Sequence, residues 1–447
     1  MINIPDFIKN KLPYLPNWIN QLLLRMNLLG PYAYGLSYAK GINKKSVDNY
    51  EGLLLSMVNY AIKNVPYYRK RYSGLVINSI DDFEKKIGFV DKDEILNNWH
   101  DFISDKSNPD NCIIASTGGT SGKPLKMLMP KNRYVNELIN LHRYYFMFGW
   151  KYDLCAVLRN HHLENDRKYI INPIMKQVIF DPFKLDFEYA KYIWRLMKKY
   201  NVYYIHAYPS NAYQFLKMCN SQNLDLSFIK ACFLSSEPVL PFQKHLFSNI
   251  LRIPYFSFYG HTEKLIFAGN TPNEPENFEV NRNYGYLELI NNGEVVKEIG
   301  TIGEMVGTTF YNFDFPLIRY RTNDFSHYKV YEHNNHSLGY IEGRWINTLI
   351  YRKDGTYVPL SSVNIHGDFN EHIDGIQYVQ KQFGELDVLI IKNKYYSIQD
   401  EIFIINHLSQ IFDGDSNSVK LKYVDRLIIN NNGKFLPLIS SLNGNSQ

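Results

Sequence analysis

The sequence predicts an α/β protein: a large N-terminal body with parallel and mixed sheets and helices, followed by a small C-terminal α+β domain. Three observations lead there. Between residues 187 and 260 helix-like and strand-like segments alternate, which is the pattern of parallel strands joined by helical crossovers. Past Asn283 the pattern changes to short strands with tight turns, and beyond Arg344 a compact βαβ-type remainder follows. The length of 447 residues also exceeds what one hydrophobic core usually serves.

Taken in order, the start IPDFIKNKLPYLPNWINQLLLRM mixes Phe7, Leu12, Trp18, Leu22 and Leu23 with Lys9, Lys11 and Arg25. This suits a short helix packed on the body or a contact with a membrane surface. From about Val47 to Tyr72 the apolar positions Leu53, Leu54, Met57, Val58 and Ala61 recur at helical spacing and predict one amphipathic helix. Cys112 to Ala115 reads as a strand that enters a glycine and hydroxyl cluster, and Pro124 to Met129 reads as extended again, so the cluster is a loop between strands. Next come FEYAKYIWRLMKKY as helix, VYYIHA as strand, SNAYQFLKMCNSQ as helix, IKACFLSS as strand, LPFQKHLFSNIL as helix and YFSFYG as strand. Asn291-Asn292-Gly293 reads as a hairpin turn. A hinge is expected over 345–351, dividing a body of 1–344 from a small domain of 352–447. In that domain Lys353-Asp354-Gly355 is a turn and SIQDEIFIINHLSQIF a helix.

Composition excludes several classes. With 45% hydrophobic and 21% charged residues, the chain has enough apolar surface to bury and is not a disordered tail. Lys and Arg number 49 against 44 acidic residues, and no basic block is long enough for a nucleic-acid stripe. Cys112, Cys155, Cys219 and Cys232 form no C-x-x-C pair, which argues against a zinc knuckle or a secreted disulfide scaffold and fits a reducing cytoplasm. No apolar run is long enough to span a membrane and no signal segment is evident, so a cytoplasmic location is expected, with the N-terminus as a potential contact to the inner membrane face.

The segment Ser116, Thr117, Gly118, Gly119, Thr120, Ser121, Gly122, Lys123 can wrap backbone N–H groups and hydroxyls around phosphate oxygens. It is not a P-loop. That motif has a longer glycine spacing and opens a helix, whereas here Lys123 precedes Pro124 and an extended segment. Tyr259, Gly260, His261, Thr262 and Glu263 end a predicted strand, where open α/β sheets place ligands. Ser235-Ser236-Glu237-Pro238 follows another strand. In RYRTND, Asp324 offers a carboxylate able to accept two charge-assisted hydrogen bonds from vicinal hydroxyls. Lys434 stands in a late NNGKF turn that, alone, would pass as a surface turn. His161 and His162 in NHHLEND, and His206 and Tyr208 in HAYPS, are polar residues equally suited to ligand contact or to structural hydrogen bonding.

In order along the chain, STGGTSGKP, FYGHTE, RYRTND, EGR and NNGKF resemble the signatures of the adenylate-forming superfamily. The finer detail resembles the phenylacetate-CoA ligase family, in its capsular polysaccharide biosynthesis branch, over essentially the whole chain from VPYYRKRY onward. The resemblance implies an adenylation body that binds ATP and a carboxylic acid, a mobile C-terminal domain, and transfer of the acyl group to CoA or to an amine such as an amino sugar or amino acid. It implies that the 116–123 loop, Thr120 included, holds the phosphates. Ser236, Glu237 and Pro238 then line the adenine pocket, Tyr259 and Gly260 face adenine, and Thr262 touches phosphate. Glu263 holds Mg²⁺, Asp324 the ribose, and Arg344 ribose or phosphate. Lys434 bridges the α-phosphate and the attacking carboxylate, and His161, His162, His206, Tyr208 and His261 lie toward the acid. Two positions depart from the family pattern: Asn323 stands where Gly is usual, a position where Asn tolerates positive φ, and Asn347, beside Ile346, stands where the hinge is usually acidic. The relaxed hinge keeps open a rival of another class, a non-catalytic nucleotide-binding partner in a polysaccharide-assembly complex.

Overall fold

A computed structural model describes residues 12–25, 30–44, 49–116, 125–159, 161, 163, 167–332, 335–341, 349–353, 357–359, 372–411, 418–429 and 435–442. The chain forms two compact units: Met1–Asn3 with Asn27–Tyr152 and Phe258–Ile341, and Ile4–Met26 with Asp153–Ser257 and Glu342–Gln447.

In the first unit, helix Tyr50–Asn64 buries Leu54, Met57, Val58 and Ala61 on one face. The single helix expected to reach Tyr72 is two. Val65 precedes Pro66 and takes an extended conformation, φ −113° and ψ 119°, because the proline ring disfavours helical geometry before it; Pro66–Tyr72 then starts a second helix. These helices pack on an antiparallel sheet ordered Glu294–Val296, Gly285–Asn291, Ile302–Thr309, Tyr320–Glu332, Asn335–Leu338, Phe278–Val280, Phe267–Gly269 and the end of Tyr255–Gly260. Leu265, Tyr286, Leu287, Phe310 and Leu317 meet the helices in one apolar core. The expected hairpin at 291–293 is present, with Asn292 at φ 51° and Gly293 at φ 86°, the positive values that a tight two-residue turn demands. At Gly285 a Cβ would fall 1.8 Å from the Leu265 carbonyl oxygen, so only glycine lets this strand approach so closely. Cys112–Ser116 pairs antiparallel with Lys126–Pro130, ending on Ser116 opposite Lys126, so the glycine-rich segment joins the two arms of a hairpin. Helix Lys131–Met147 follows directly.

The second unit holds the predicted α/β alternation. The first residues of Tyr255–Gly260, then Ala231–Leu234, Tyr204–Ala207, Cys155–Leu158 and Gln177–Ile179, are parallel neighbours in that order, and Ile170–Asn172 closes the edge antiparallel. Helix Phe187–Tyr200 matches the sequence expectation at both ends. Asp186 caps its first turn by accepting the Tyr189 N–H at 2.7 Å, and Asn201 terminates it in the left-handed conformation. Helix Pro209–Ser221 likewise forms as expected, but the segment expected as one helix over 240–251 is a short helix, Pro241–Lys244, continued by a π-turn, His245–Ile250. The same unit contains a four-stranded sheet, Val419–Tyr423, Leu386–Lys392, Ile373–Gln380 and Leu438–Ser440, and helix Ile398–Ile411 buries Ile404 and Leu408 in its core. The expected 353–355 turn lies only partly within the described residues. Strands Leu349–Tyr351 and Tyr357–Pro359 flank it as an antiparallel pair. No helix among the described residues is long and apolar enough to cross a membrane.

Candidate functional site

In the first unit, two loops bring four of the predicted residues together. One is the turn after Tyr255–Gly260. His261 accepts the Ile266 N–H on Nε2 at 3.2 Å, so its other nitrogen carries the proton and Nδ1 donates to Glu263 Oε2 at 3.0 Å. The turn is closed by Lys264 N–H donating to the His261 carbonyl at 3.1 Å, with Lys264 at φ 58°. That strained residue is held from helix Lys131–Met147: Arg133 donates to the Lys264 carbonyl at 2.7 Å, and Glu137 pairs with the Lys264 ammonium. Glu263 receives a second, longer hydrogen bond from the Tyr320 hydroxyl at 3.4 Å on Oε1.

The other loop lies inside the Tyr320–Glu332 strand. Glu304 to Val306 on the neighbouring strand face Phe325 to Arg321, so extra residues bulge out of register between Arg321 and Phe325. Asn323 sits in this bulge at φ 57°, as expected for an Asn in a glycine position. The bulge is pinned on every side. Glu304 accepts Arg321 Nε at 2.8 Å and Nη2 at 2.5 Å on one oxygen and the Asn323 N–H at 3.2 Å on the other. Thr322 donates to the Met305 carbonyl at 2.6 Å and accepts the Asp324 N–H at 3.1 Å. The result turns Asp324 inward, where Tyr259 donates its phenol proton to Oδ2 at 2.5 Å. Burial, and after it the Asp324 charge, hold the Tyr259 phenol far above its usual range, so it stays a donor. Two carboxylates, Glu263 and Asp324, are thereby fixed by one framework of tyrosines, a histidine and backbone groups. Gly260 and Thr262 lie in the same turn, and Ser116 ends its strand at the mouth of the 116–123 loop.

In the second unit, Arg159, His206, Tyr208 and Ser236 converge at the carboxyl ends of three adjacent parallel strands. Arg159 donates to His206 Nε2 and to Ser236 Oγ, each at 3.4 Å, and its guanidinium carbon lies 5.3 Å from the centre of the Tyr208 ring. Ser236 is held at φ 70°, a conformation that a non-glycine residue keeps only when its surroundings enforce it. Glu237, beside it, is buried. Its carboxylate accepts the Ser210 N–H at 3.0 Å and the Ser210 hydroxyl at 3.1 Å, capping the otherwise unpaired first turn of helix Pro209–Ser221, and it also accepts the Phe435 N–H at 2.9 Å. The Phe435 ring packs with Leu240 and Phe242. Pro238 follows, and His161 is exposed, its backbone N–H donating to the Arg159 carbonyl at 2.6 Å. Thr117 through Lys123, His162, Arg344, Ile346, Asn347 and Lys434 lie outside the described residues.

Two contributors escaped sequence reasoning. Tyr320 stands between two arginines that both serve the strand, and only the bulge reveals its reach to Glu263. Arg159 immediately follows the strand Cys155–Leu158, the same end-of-strand signal that singled out Tyr259, and could have been found by it.

No family model matches the sequence. Protein CapK of Staphylococcus aureus is 24% identical over 283 residues, 60% of this chain and 59% of that protein. The chain thus spans about three fifths of the length of the curated relative it matches. Among solved structures, 2-hydroxyisobutyryl-CoA ligase in the postadenylation state, in complex with 2-HIB-AMP, superposes with a TM-score of 0.67 at 15% identity, covering 90% of this chain and 94% of that one. A GH3.15 acyl acid amido synthetase superposes with a TM-score of 0.57 at 13% identity over 84% and 86% of the two chains. With the alternating unit, the antiparallel unit and the strand-end loops in place, the chain has the mixed α/β fold of the adenylate-forming ligases.

Proposed function

We propose that this chain activates a carboxylic acid with ATP, forming an acyl adenylate and pyrophosphate, and then passes the acyl group to an amine or thiol. The observation that carries the reading is the framework around Glu263 and Asp324: two carboxylates held by tyrosines, a histidine and backbone groups, in a fold shared with a solved ligase bound to an acyl adenylate. Asp324 takes the ribose hydroxyls, Tyr259 orients it and presents its ring to adenine, and the 116–123 loop with Thr120 cradles the phosphates. Arg344 adds a contact to ribose or phosphate. Catalysis is positioning and charge neutralisation, with no covalent protein intermediate.

Magnesium is implied as the nucleotide's companion, and the residues fit it. Glu263 offers a hard carboxylate oxygen that would hold the ion together with the phosphates of the nucleotide. When bound, Mg²⁺ neutralises phosphate charge. His261, by its fixed tautomer, holds the Glu263 carboxylate in one orientation. Lys434 approaches from the 352–447 segment, which moves about a hinge over 345–351.

For the acceptor, transfer to an amine in envelope polysaccharide assembly draws support from the capsule-branch motifs and the CapK similarity. CoA is the alternative, as in the 2-hydroxyisobutyryl-CoA ligase. Pyrophosphate release across a panel of acids, with and without CoA or amino sugars, tests both halves; no acid-dependent release with any acid would leave the non-catalytic reading.

Two predictions follow from the nucleotide site. Calorimetric Mg·ATP binding is expected to weaken in Gly119→Val and Thr120→Val, since a side chain added in a phosphate cradle displaces an oxygen; unchanged binding in folded variants removes the loop from the site. Asp324→Ala is expected to weaken ATP and AMP alike by about 1.5 to 3 kcal/mol per lost charged hydrogen bond. Glu263→Gln in contrast raises the Mg²⁺ concentration needed for ATP binding and leaves AMP untouched. AMP affinity unaltered in Asp324→Ala would refute the ribose assignment.

A further inference from the structure

The cluster at Arg159 holds a guanidinium that none of the proposed nucleotide contacts uses. Arg159 follows one parallel strand, His206 belongs to the next and Ser236 follows the third, so two crossovers bring a guanidinium, an imidazole and a hydroxyl to one point. The guanidinium's bonds to His206 and Ser236 are long, at 3.4 Å, and go to neutral acceptors. An arginine only donates, so His206 Nε2 is an acceptor in this arrangement and carries no proton. No carboxylate among the described residues pairs with Arg159, whereas other arginines of the chain, Arg319 and Arg321, are each matched to a glutamate. A half-buried planar donor fork at a strand-end ligand edge, without an acidic partner among the described residues, is suited to bind an oxyanion bidentately.

We propose that Arg159, steadied by His206 and Ser236, is the receptor for the carboxylate of the acid substrate. The inference rests on the adenylation reading and names the group that reads the acid. The Ser236 hydroxyl, on a backbone held at φ 70°, and the His206 nitrogen hold the fork, and the Tyr208 ring covers one face of the guanidinium. A carboxylate arriving on the fork exchanges weak neutral contacts for charge-assisted ones. Its charge is then consumed as the adenylate forms, which loosens the acyl group from Arg159 for transfer.

The test is acid-dependent pyrophosphate exchange in the full chain, with ATP affinity read separately by calorimetry. For the best acid of the panel, Arg159→Met is expected to raise KM about 10- to 100-fold, the worth of one charge-assisted pair, with ATP affinity unchanged. Arg159→Lys recovers only part of this, since a point charge lacks the fork. Added methylguanidinium restores exchange in Arg159→Ala, which a purely structural role would not allow. Loss of ATP affinity with an unaltered acid KM would assign the guanidinium to the nucleotide and overturn the proposal, as would parental values for both. Absence of exchange in the parent protein, by contrast, would overturn the adenylation reading itself, so the two failures are separable.

Discussion

Lys434→Ala is expected to bind ATP with near-parental affinity and to lose acid-dependent pyrophosphate exchange by about 10²- to 10³-fold, the typical cost of removing one preorganised charge stabiliser. The reacting carboxylate and the α-phosphate are both anions, and a compact ammonium at their junction offsets their repulsion as they approach. In the proposed reading nucleotide affinity is carried elsewhere, by the 116–123 loop, Glu263 and Asp324, so it should survive. The residue that follows it in sequence is described: the Phe435 N–H donates to the buried Glu237 carboxylate and the Phe435 ring packs with Leu240 and Phe242. Lys434→Ala is therefore expected to convert a synthetic acyl-AMP normally once the right acceptor is supplied, because that half-reaction does not bring the two anions together. Lys434→Arg should rescue poorly, since its planar fork does not replace a point charge. Parental exchange in Lys434→Ala would make NNGKF an ordinary surface turn.

The largest stability effect is expected at Arg319, the first residue of RYRTND. Its guanidinium meets Glu288 through two bonds, Nε to Oε2 at 3.1 Å and Nη2 to Oε1 at 2.8 Å, and donates from Nη1 to the carbonyls of Glu84 at 2.9 Å and Ile87 at 2.6 Å. It also lies 4.1 Å from the centre of the Phe89 ring. Both partners are almost wholly buried, with side-chain exposures of 4% and 2%. Arg319→Met leaves a buried carboxylate without its cation and is expected to cost about 3 to 5 kcal/mol, read from the urea midpoint at unchanged m-value. Replacing Glu288 by Leu as well should recover much of that loss, since a well-packed apolar pair often matches a buried ion pair. The effect depends on pH. Burial pushes the Glu288 carboxyl up to about 7, against the opposing pull of Arg319. A raised carboxyl contributes stability that is complete below the unfolded value and is lost as pH rises through the folded one, so this group weakens the fold across that window. Without Arg319 the window extends upward, and the Arg319→Met penalty should be larger at about pH 8 than at about pH 5. An equal penalty at both would show that Glu288 keeps its charge throughout.

Local signals made much of the fold legible. Helix Phe187–Tyr200 and strand Tyr255–Gly260 fall where periodicity places them, because the buried face of each is written in its own residues. The hairpin at 291–293 and the positive φ of Asn323 follow from steric rules about single residues. The misses share a cause: at Val65 a local rule was available and outweighed by the apolar repeat, and at 245–250 a π-turn replaced helix where the pattern alone shows no difference.

The site divides in the same way. The sequence by itself determined which chemical groups are present and their order: the glycine and hydroxyl loop, Glu263, Asp324 and the late lysine. Only the tertiary structure decided what most of them touch. His261 looked toward substrate but spends both ring nitrogens on the Ile266 N–H and Glu263, and Glu237 spends its carboxylate on Ser210 and Phe435, residues 27 and 198 positions away. The two arginines of RYRTND are likewise matched to Glu288 and Glu304, while Arg159, in no motif, stands without an acid partner among the described residues. Residue type fixes what a side chain can donate or accept, but whether that capacity is already satisfied depends on groups that strand pairing and helix packing bring in from distant segments, and those are not encoded in the residue's own neighbourhood.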